Sequence, residues 1–99
     1  MALRIKWSPR AKKRYEEILD YLASYWTEKE IREFMNRTES VLKTVELHPL
    51  GFQASARGNA RRAVIGKQNS MLYRVTKTHI YLITFWDNRQ DPKKSKYHQ

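Results

Sequence analysis

The chain has 99 residues, a formal net charge of +10 and no cysteine. This length allows one compact domain, and the composition excludes disulfides, thiolate metal ligands and a thiol nucleophile. No apolar run has the length of a signal peptide or a membrane span. We therefore expect a single domain over residues 1–99 that stays in the cytoplasm and does not contact a membrane.

The positive charge is concentrated in the second half of the chain. Residues 57–99 contain ten Lys or Arg and two acids, whereas residues 1–53 contain ten Lys or Arg and eight acids. Tyrosines are interleaved among these later arginines. A basic surface with aromatic side chains indicates a polyanionic partner. The alternative is a solvated surface that keeps the protein soluble.

The first predicted elements are a strand and a helix. Residues 3–7 alternate apolar and basic side chains, which is the period of a half-buried strand. Ser8 is a favourable N-cap, and Pro9 suits the first helical position because its missing N–H has no intrahelical role there. Apolar residues then recur at steps of three or four, which predicts one buried helix face: Ala11, Tyr15, Ile18, Leu22 and Tyr25.

A second helix follows a capping-box pattern. Thr27 is the predicted cap, and Glu30 is placed to reach back to the Thr27 N–H. The helix is predicted to end just before Pro49, because a proline disfavours helical dihedrals in the residue before it. Its apolar face is Ile31, Phe34, Met35, Thr38, Val41, Leu42 and Val45. Residues 52–59 show no period and are predicted to form a loop.

Three further strands are predicted at residues 61–65, 70–76 and 79–86. The last is almost entirely apolar or aromatic, which places it in the sheet interior. Residues 88–99 form a polar, basic tail. The order β-α-α-β-β-β predicts an α+β fold, in which a helical hairpin packs on one face of an antiparallel sheet.

Short hairpin loops at residues 66–69 and 77–78 predict the sheet register. In this register Arg61 faces Arg74, and Arg74 faces Tyr81. The face toward the helices carries Val64, Met71, Tyr73, Val75, Ile80, Leu82, Thr84 and Trp86. The face away from the helices is predicted to carry Arg61, Arg74 and Tyr81, with Ala63, Leu72, Ile83 and Phe85 beside them.

Two arginines directly opposite each other on a sheet are unfavourable by up to about 1 kcal/mol. A phosphate between the Arg61 and Arg74 guanidiniums would relieve this repulsion, since each guanidinium can bind two oxygens. Local conflicts of this kind often mark functional sites. The alternative is that both side chains extend into water or meet Asp87 or Asp91.

Metal or cofactor chemistry is not expected. His48, His79 and His98 are far apart in sequence, no cysteine accompanies them, and no phosphate-binding glycine loop occurs. No serine, histidine and aspartate are arranged as a triad. His98 beside Tyr97 could titrate near neutral pH, which makes this pair a candidate for proton transfer.

Six short motifs occur in order along nearly the whole chain. They are Trp7-Ser8-Pro9-x-Ala11, Asp20-Tyr21 with Trp26, Pro49-Leu50-Gly51, Arg61-Arg62, Leu72-Tyr73-Arg74-Val75 and Asn88-Arg89-Gln90-Asp91-Pro92. This ordered set resembles the RelE/ParE superfamily of toxins from type II toxin–antitoxin modules.

The resemblance implies growth arrest, neutralisation by an acidic antitoxin, and one of two targets. The long helical hairpin, the Tyr73-Arg74 pair and the Arg-x-Asp-Pro ending look more like ParE, whose members poison DNA gyrase without chemistry. RelE-like members instead cut mRNA on the ribosome without a metal or other cofactor. A generic nucleic-acid-binding module is a third interpretation.

If the chain were a nuclease, the resemblance would assign the catalytic roles to Arg61, Arg74, Arg89 and Tyr97. Ala63 and Ser70 depart from that pattern, because basic residues are expected at their positions. For binding a target, the predicted residues are Arg61, Arg74, Tyr81, Phe85 and Arg89.

Overall fold

The structure is a computed structural model that describes residues 3–54 and 59–87. It contains two helices and five strands in these segments. The helices are α1 (Pro9–Tyr25) and α2 (Glu28–Leu47). The strands are β1 (Arg4–Trp7), β2 (Gln53–Ala54), β3 (Ala60–Val64), β4 (Asn69–Val75) and β5 (His79–Asp87). The predicted α+β fold with a helical hairpin on one side of a sheet is confirmed.

Both helices begin at the predicted caps, but only the side chain of the first cap bonds the helix backbone. The Ser8 hydroxyl accepts a hydrogen bond from the Ala11 N–H at 2.9 Å, and Pro9 occupies the first turn of α1. Thr27 makes no such bond to α2. Its hydroxyl instead donates to the Glu30 carboxylate, and this bond lowers the pKa of Glu30. Glu30 therefore reaches back toward the cap as predicted, while the Thr27 side chain does not form its own hydrogen bond of the capping box.

The sheet has the order β1-β5-β4-β3-β2 and is mixed. Strands β2 to β5 pair antiparallel, whereas β1 runs parallel to β5, with Arg4 opposite His79 and Trp7 opposite Leu82. This parallel pair departs from the all-antiparallel sheet of the prediction. The short β2 was predicted as loop, because two residues are too few to show a period.

The core lies between the helices and one face of the sheet, with α1 against β5 and β1. Tyr25 was predicted to join it but is 75% exposed, because it is the last residue of α1 and packs on the Tyr21 ring instead. The buried apolar residues are Ala11, Ile18, Leu22, Phe34, Val45, Ala63, Ile65, Met71, Tyr73, Ile80, Leu82 and Phe85.

The hairpin register differs from the prediction by one residue between β3 and β4. The N–H groups of Ile65 and Gly66 both donate to the Asn69 carbonyl, at 2.9 and 3.2 Å, so Gly66 is an extra residue in the turn. As a result Arg61 pairs with Tyr73, and Ala60 pairs with Arg74. A slip of one residue moves every side chain of a strand to the other face.

A second irregularity lies between Leu72 and Tyr73, opposite β5. Arg74 still pairs with Tyr81 as predicted, but Leu72 pairs with Thr84, so Ile83 is the extra residue on β5. After this bulge, each side chain of β5 lies on the sheet face opposite to the predicted one. Phe85 therefore pairs with the buried Met71, and Trp86 pairs with Ser70.

Candidate functional site

The sheet face that points away from the helices carries a group of exposed basic residues. Directly opposed residues on neighbouring strands share a face, and the register places Lys6, Tyr81 and Arg74 in one row across β1, β5 and β4. We call this surface the open face and define it by Arg4, Lys6, Arg62, Arg74, His79, Tyr81 and Trp86. All four of its Lys and Arg residues are exposed.

The row formed by Lys6, Tyr81 and Arg74 puts two cations on either side of an aromatic ring. Neighbouring strands are about 4.8 Å apart, so the backbones of Lys6 and Arg74 are separated by about 10 Å. The Arg74 guanidinium carbon lies 5.9 Å from the Tyr81 ring centre, within the range of a cation–π contact. Two cations with an aromatic surface between them suit a polyanionic partner.

A second arginine lies over a second ring on the same face. The Arg62 guanidinium carbon is 5.3 Å from the centre of the Trp86 ring, and its Nη2 donates weakly to the Ser70 hydroxyl at 3.4 Å. Stacking on a ring leaves the edge of the guanidinium directed outward. Arg62 and Arg74 therefore present donors to the same exposed surface.

Arg61, which was predicted to face Arg74, lies on the opposite side of the sheet. The register prediction is wrong here because Gly66 is the extra residue of the turn. The Arg61 guanidinium donates to the carbonyls of Phe52 at 2.8 Å and Leu50 at 3.3 Å. It therefore holds the segment that follows α2, and the predicted repulsion between Arg61 and Arg74 does not arise.

Phe85 was also predicted on the open face, and it is buried in the core. Its ring lies 5.1 Å from Trp7 and 5.4 Å from Tyr15, as part of an aromatic cluster under α1. The bulge on β5 is the reason, because it moves Phe85 to the helix side and Trp86 to the open face. Arg74 and Tyr81 are thus the two predicted binding residues that the structure brings together.

Arg89 and Tyr97, and the whole predicted tail at 88–99, lie outside the described residues. Their assignment as catalytic or binding residues stays a prediction. His48 and His79 lie within the described range. His79 belongs to the β4–β5 turn, where its Nδ1 is 2.9 Å from the Thr78 hydroxyl and its ring is 6.1 Å from the Tyr81 ring.

The open face also contains three basic residues that were not predicted to bind a target: Arg4, Lys6 and Arg62. Arg4 and Lys6 alternate with apolar residues in β1, and this pattern already placed them opposite the core. The pairing of β1 with β5 was not predicted, because it joins residues that are far apart in the sequence. The positions of Arg4 and Lys6 beside the other basic residues therefore could not be predicted either. Arg62 was missed because of the slip in register. No aspartate or glutamate occupies a strand position of this face in the described segments.

No group of three or more His, Asp, Glu or Cys side chains that could hold a metal ion occurs in residues 3–54 and 59–87. Neither helix in these segments is long and apolar enough to cross a membrane.

Comparison with known proteins assigns the fold. The family model described as the ParE toxin of type II toxin–antitoxin system, parDE, matches residues 5–92. No curated protein matches the sequence at a significant level. Among solved structures, a chain of the chromosomal ParDE system from P. aeruginosa has 15% sequence identity and a TM-score of 0.74, and the match covers 87% of this chain and 96% of that one.

Two further solved structures share the fold. The YoeB dimer structure from Staphylococcus aureus has 17% identity and a TM-score of 0.62, with 87% of this chain and 97% of that chain covered. The DinJ–YafQ toxin–antitoxin complex from E. coli contains a chain with 10% identity and a TM-score of 0.61, with 89% and 94% covered.

Proposed function

Because the chain belongs to the ParE toxin family of type II toxin–antitoxin systems, we propose that it arrests growth by poisoning DNA gyrase and that a cognate acidic antitoxin neutralises it. The observation that carries the proposal is the ParE family match over residues 5–92, which covers both helices and reaches every strand of the described segments. The fold alone does not distinguish gyrase from the ribosome as target, because one fold can host several activities.

The positions of Arg61 and Arg74 support gyrase over mRNA cleavage. Metal-independent RNA cleavage needs several cationic groups around one phosphate, where they stabilise the charge that develops as the ribose 2′-OH attacks. Arg61 is on the helix side and donates to backbone carbonyls, whereas Arg74 is on the open face. These two residues of the predicted nuclease site therefore lie on opposite faces of the sheet and do not converge on one phosphate.

We assign target binding to the open face. Arg62 and Arg74 lie over aromatic rings there, and Arg4 and Lys6 extend the positive charge to the edge of the sheet. Gyrase acts on DNA, so a basic surface of this kind would face a negatively charged complex. In this role the open face is a binding surface, and none of its side chains performs chemistry.

The target is tested by expressing the chain and examining RNA and DNA from the same cells. For a gyrase poison we expect double-strand DNA breaks and intact mRNA, together with gyrase-dependent DNA cleavage in a purified system. Codon-specific cuts in ribosome-bound mRNA within minutes of induction, without DNA breaks, would overturn the proposal.

The open face is tested with the double variant Arg62→Ala/Arg74→Ala. We expect a clear loss of growth arrest with a nearly unchanged melting temperature, because both side chains are exposed. The matched control is Arg32→Ala/Lys43→Ala, which removes the same charge from exposed positions on α2. A folded Arg62/Arg74 variant that arrests growth as fast as the parent would exclude this face as the target-binding surface.

RelE-like cleavage of mRNA is the second candidate. The observation that favours it is the open row of Lys6, Tyr81 and Arg74, which could hold a phosphate beside a stacked base. Deleting residues 93–99 separates the two candidates, because it removes Tyr97 and His98. A nuclease that uses one of them as acid or base should lose cutting by a factor of about 10²–10⁴. A truncated chain that is fully toxic and cuts no RNA would exclude the nuclease.

A further inference from the structure

A cavity of about 500 Å³ lies between α2 and the β3–β4 turn, on the helix side of the sheet and away from the open face. Arg37 of α2 lines it from one side. The turn residues Gly66, Lys67, Gln68 and Asn69 line the other. Asn69 shares the sheet face of the buried Met71, and its strand partner on β5 is Asp87.

Asn69 has a buried amide group with no hydrogen-bond partner in residues 3–54 and 59–87. The residue is 4% exposed, and its Nδ2 lacks an acceptor in these described segments. Buried polar side chains in native proteins are almost always bonded, because an unbonded donor has lost water and gained nothing in exchange. The backbone carbonyl of Asn69 is already shared by two N–H groups of the turn. An acceptor from outside the chain would complete the bonding of the side chain.

Arg37 lies directly against the turn. A Cβ built on Gly66 would be 3.2 Å from Arg37 Nη1 and 3.7 Å from its Cδ, so the glycine leaves room for this side chain. The Arg37 side chain is 56% exposed, and its distance to the Glu33 carboxylate is 4.0 Å. An exposed ion pair of this length is weak. The guanidinium can therefore turn toward a second anion at the cavity.

We propose that this cavity binds a phosphate-type oxyanion. Arg37 and Lys67 supply positive charge, and Asn69, which also lines the cavity, supplies the unpartnered amide N–H. The groups that converge are donors, as an oxyanion requires. Two acids are near: Glu33 pairs with Arg37, and Asp87 is buried opposite Asn69 with an interaction of its own. Neither lines the cavity.

The ligand is either inorganic phosphate or the phosphate group of a mononucleotide, since both present the same oxygens. The cavity is large enough for either. The Nδ2 atom is screened from water, so the anion first meets Arg37 and Lys67, and a small side-chain adjustment then brings it to Asn69. The site is separate from the open face, and its existence does not depend on which target the toxin poisons.

The test is titration of the full-length chain with sodium phosphate, and separately with adenosine monophosphate, at constant ionic strength set with chloride. Thermal unfolding and the side-chain amide NMR signal of Asn69 are both followed. We expect phosphate to raise the melting temperature, as any ligand of the native state does, and to shift the Asn69 amide signal. A larger effect of the nucleotide at equal concentration identifies it as the preferred source, and an equal effect identifies the phosphate group alone.

Three variants make the test specific. Asn69→Ala and Arg37→Gln should each weaken the apparent phosphate affinity by about tenfold or more, because each removes a donor to a charged ligand. Arg32→Gln removes the same charge from the exposed surface of the same helix and should leave the affinity unchanged. The proposal is overturned if phosphate causes no stabilisation and no shift of the Asn69 signal, or if Arg32→Gln weakens binding as much as Arg37→Gln. Arg37 is exposed, so its variant remains informative even if Asn69→Ala unfolds.

Discussion

Arg61 and Arg62 are neighbours in the sequence and have opposite environments, because successive side chains of a strand point to opposite faces. Arg61 binds the carbonyls of Leu50 and Phe52 on the helix side, whereas Arg62 lies over Trp86 on the open face. The first arginine thus stabilises a backbone segment, and the second is available to a partner.

Replacing Arg61 by Ala is expected to destabilise the protein by about 1–2 kcal/mol, because it removes charge-assisted hydrogen bonds to two carbonyls. Hydrogen exchange of the backbone at residues 49–54 should become faster. Urea unfolding and exchange measurements check this, with Arg62→Ala as the control on the neighbouring position. If Arg62→Ala were the more destabilising of the two, the observed register would be contradicted.

Tyr73 holds the same segment through its hydroxyl, which donates to the Pro49 carbonyl at 2.5 Å. Burial raises the pKa of Tyr73 above its ordinary value of 10.0, and the nearby Arg61 partly opposes this change. The phenol binds its proton more tightly in the folded state than in the unfolded chain. Its contribution to stability is therefore complete below pH 10 and is lost as the pH rises toward the higher folded pKa.

Tyr73→Phe is expected to lower the free energy of unfolding by about 1 kcal/mol at neutral pH, because one hydrogen bond is lost. The variant should also lose less stability than the parent between pH 10 and pH 11, since the titrating group has been removed. Denaturant unfolding at several pH values measures both effects. Tyr25→Phe is the control at an exposed position. Equal pH dependence in all three proteins would refute the assignment.

At the scale of elements, the two helix caps differ in how much they contribute. The Ser8 hydroxyl is buried, accepts from the Ala11 N–H and donates to the Ile83 carbonyl at 2.9 Å, so it joins α1 to β5. Thr27 is exposed and bonds only the Glu30 side chain through its hydroxyl.

Ser8→Ala is therefore expected to destabilise the protein by about 2 kcal/mol, since it removes a cap and leaves the partly buried Ile83 carbonyl with one bond fewer. The matched change Thr27→Ala should have an effect below about 1 kcal/mol. Thermal and denaturant unfolding of both variants measure the difference. Comparable losses would contradict the assignment of the larger effect to the Ser8 bonds with Ala11 and Ile83.

The helices could be predicted from sequence because their signals are local. Ser8-Pro9 and Pro49 mark ends, and the apolar period marks the buried faces within a few residues. The sheet faces could not be predicted in the same way, because one extra residue at Gly66 and another at Ile83 exchange the two sides. Neither extra residue is marked in the sequence by a pattern as clear as the capping residues of a helix. Arg74 and Tyr81 were placed correctly because this pair lies close to the β4–β5 turn, before the bulge at Ile83, and the extra residue at Gly66 affects only the pairing of β3.

At the scale of the whole molecule, the formal charge of +10 should dominate association with the acidic antitoxin that we propose. Opposite charges accelerate encounter, while burial of apolar side chains limits dissociation. Exposed apolar residues such as Leu47, Leu50 and Val64 are available for such burial.

We expect the association rate with the antitoxin to fall steeply between low and moderate salt and the dissociation rate to change little. Surface plasmon resonance with the product of the neighbouring gene measures both rates. The Arg32→Ala/Lys43→Ala variant of α2 and the Arg62→Ala/Arg74→Ala variant of the open face remove equal charge, and comparing them shows which side the antitoxin approaches. Absence of any complex would argue against the proposed partner.

The parallel pairing of β1 with β5 has a consequence for synthesis on the ribosome. In the described segments, β1 pairs with β5, the last of these strands, and Ser8 likewise bonds Ile83, 75 residues later. Nascent chains that end before His79 therefore contain α1 without the strand on which it packs. Such chains should remain sensitive to protease until β5 has left the exit tunnel. A chain built in this way acquires its native surfaces only after β5 has been synthesised.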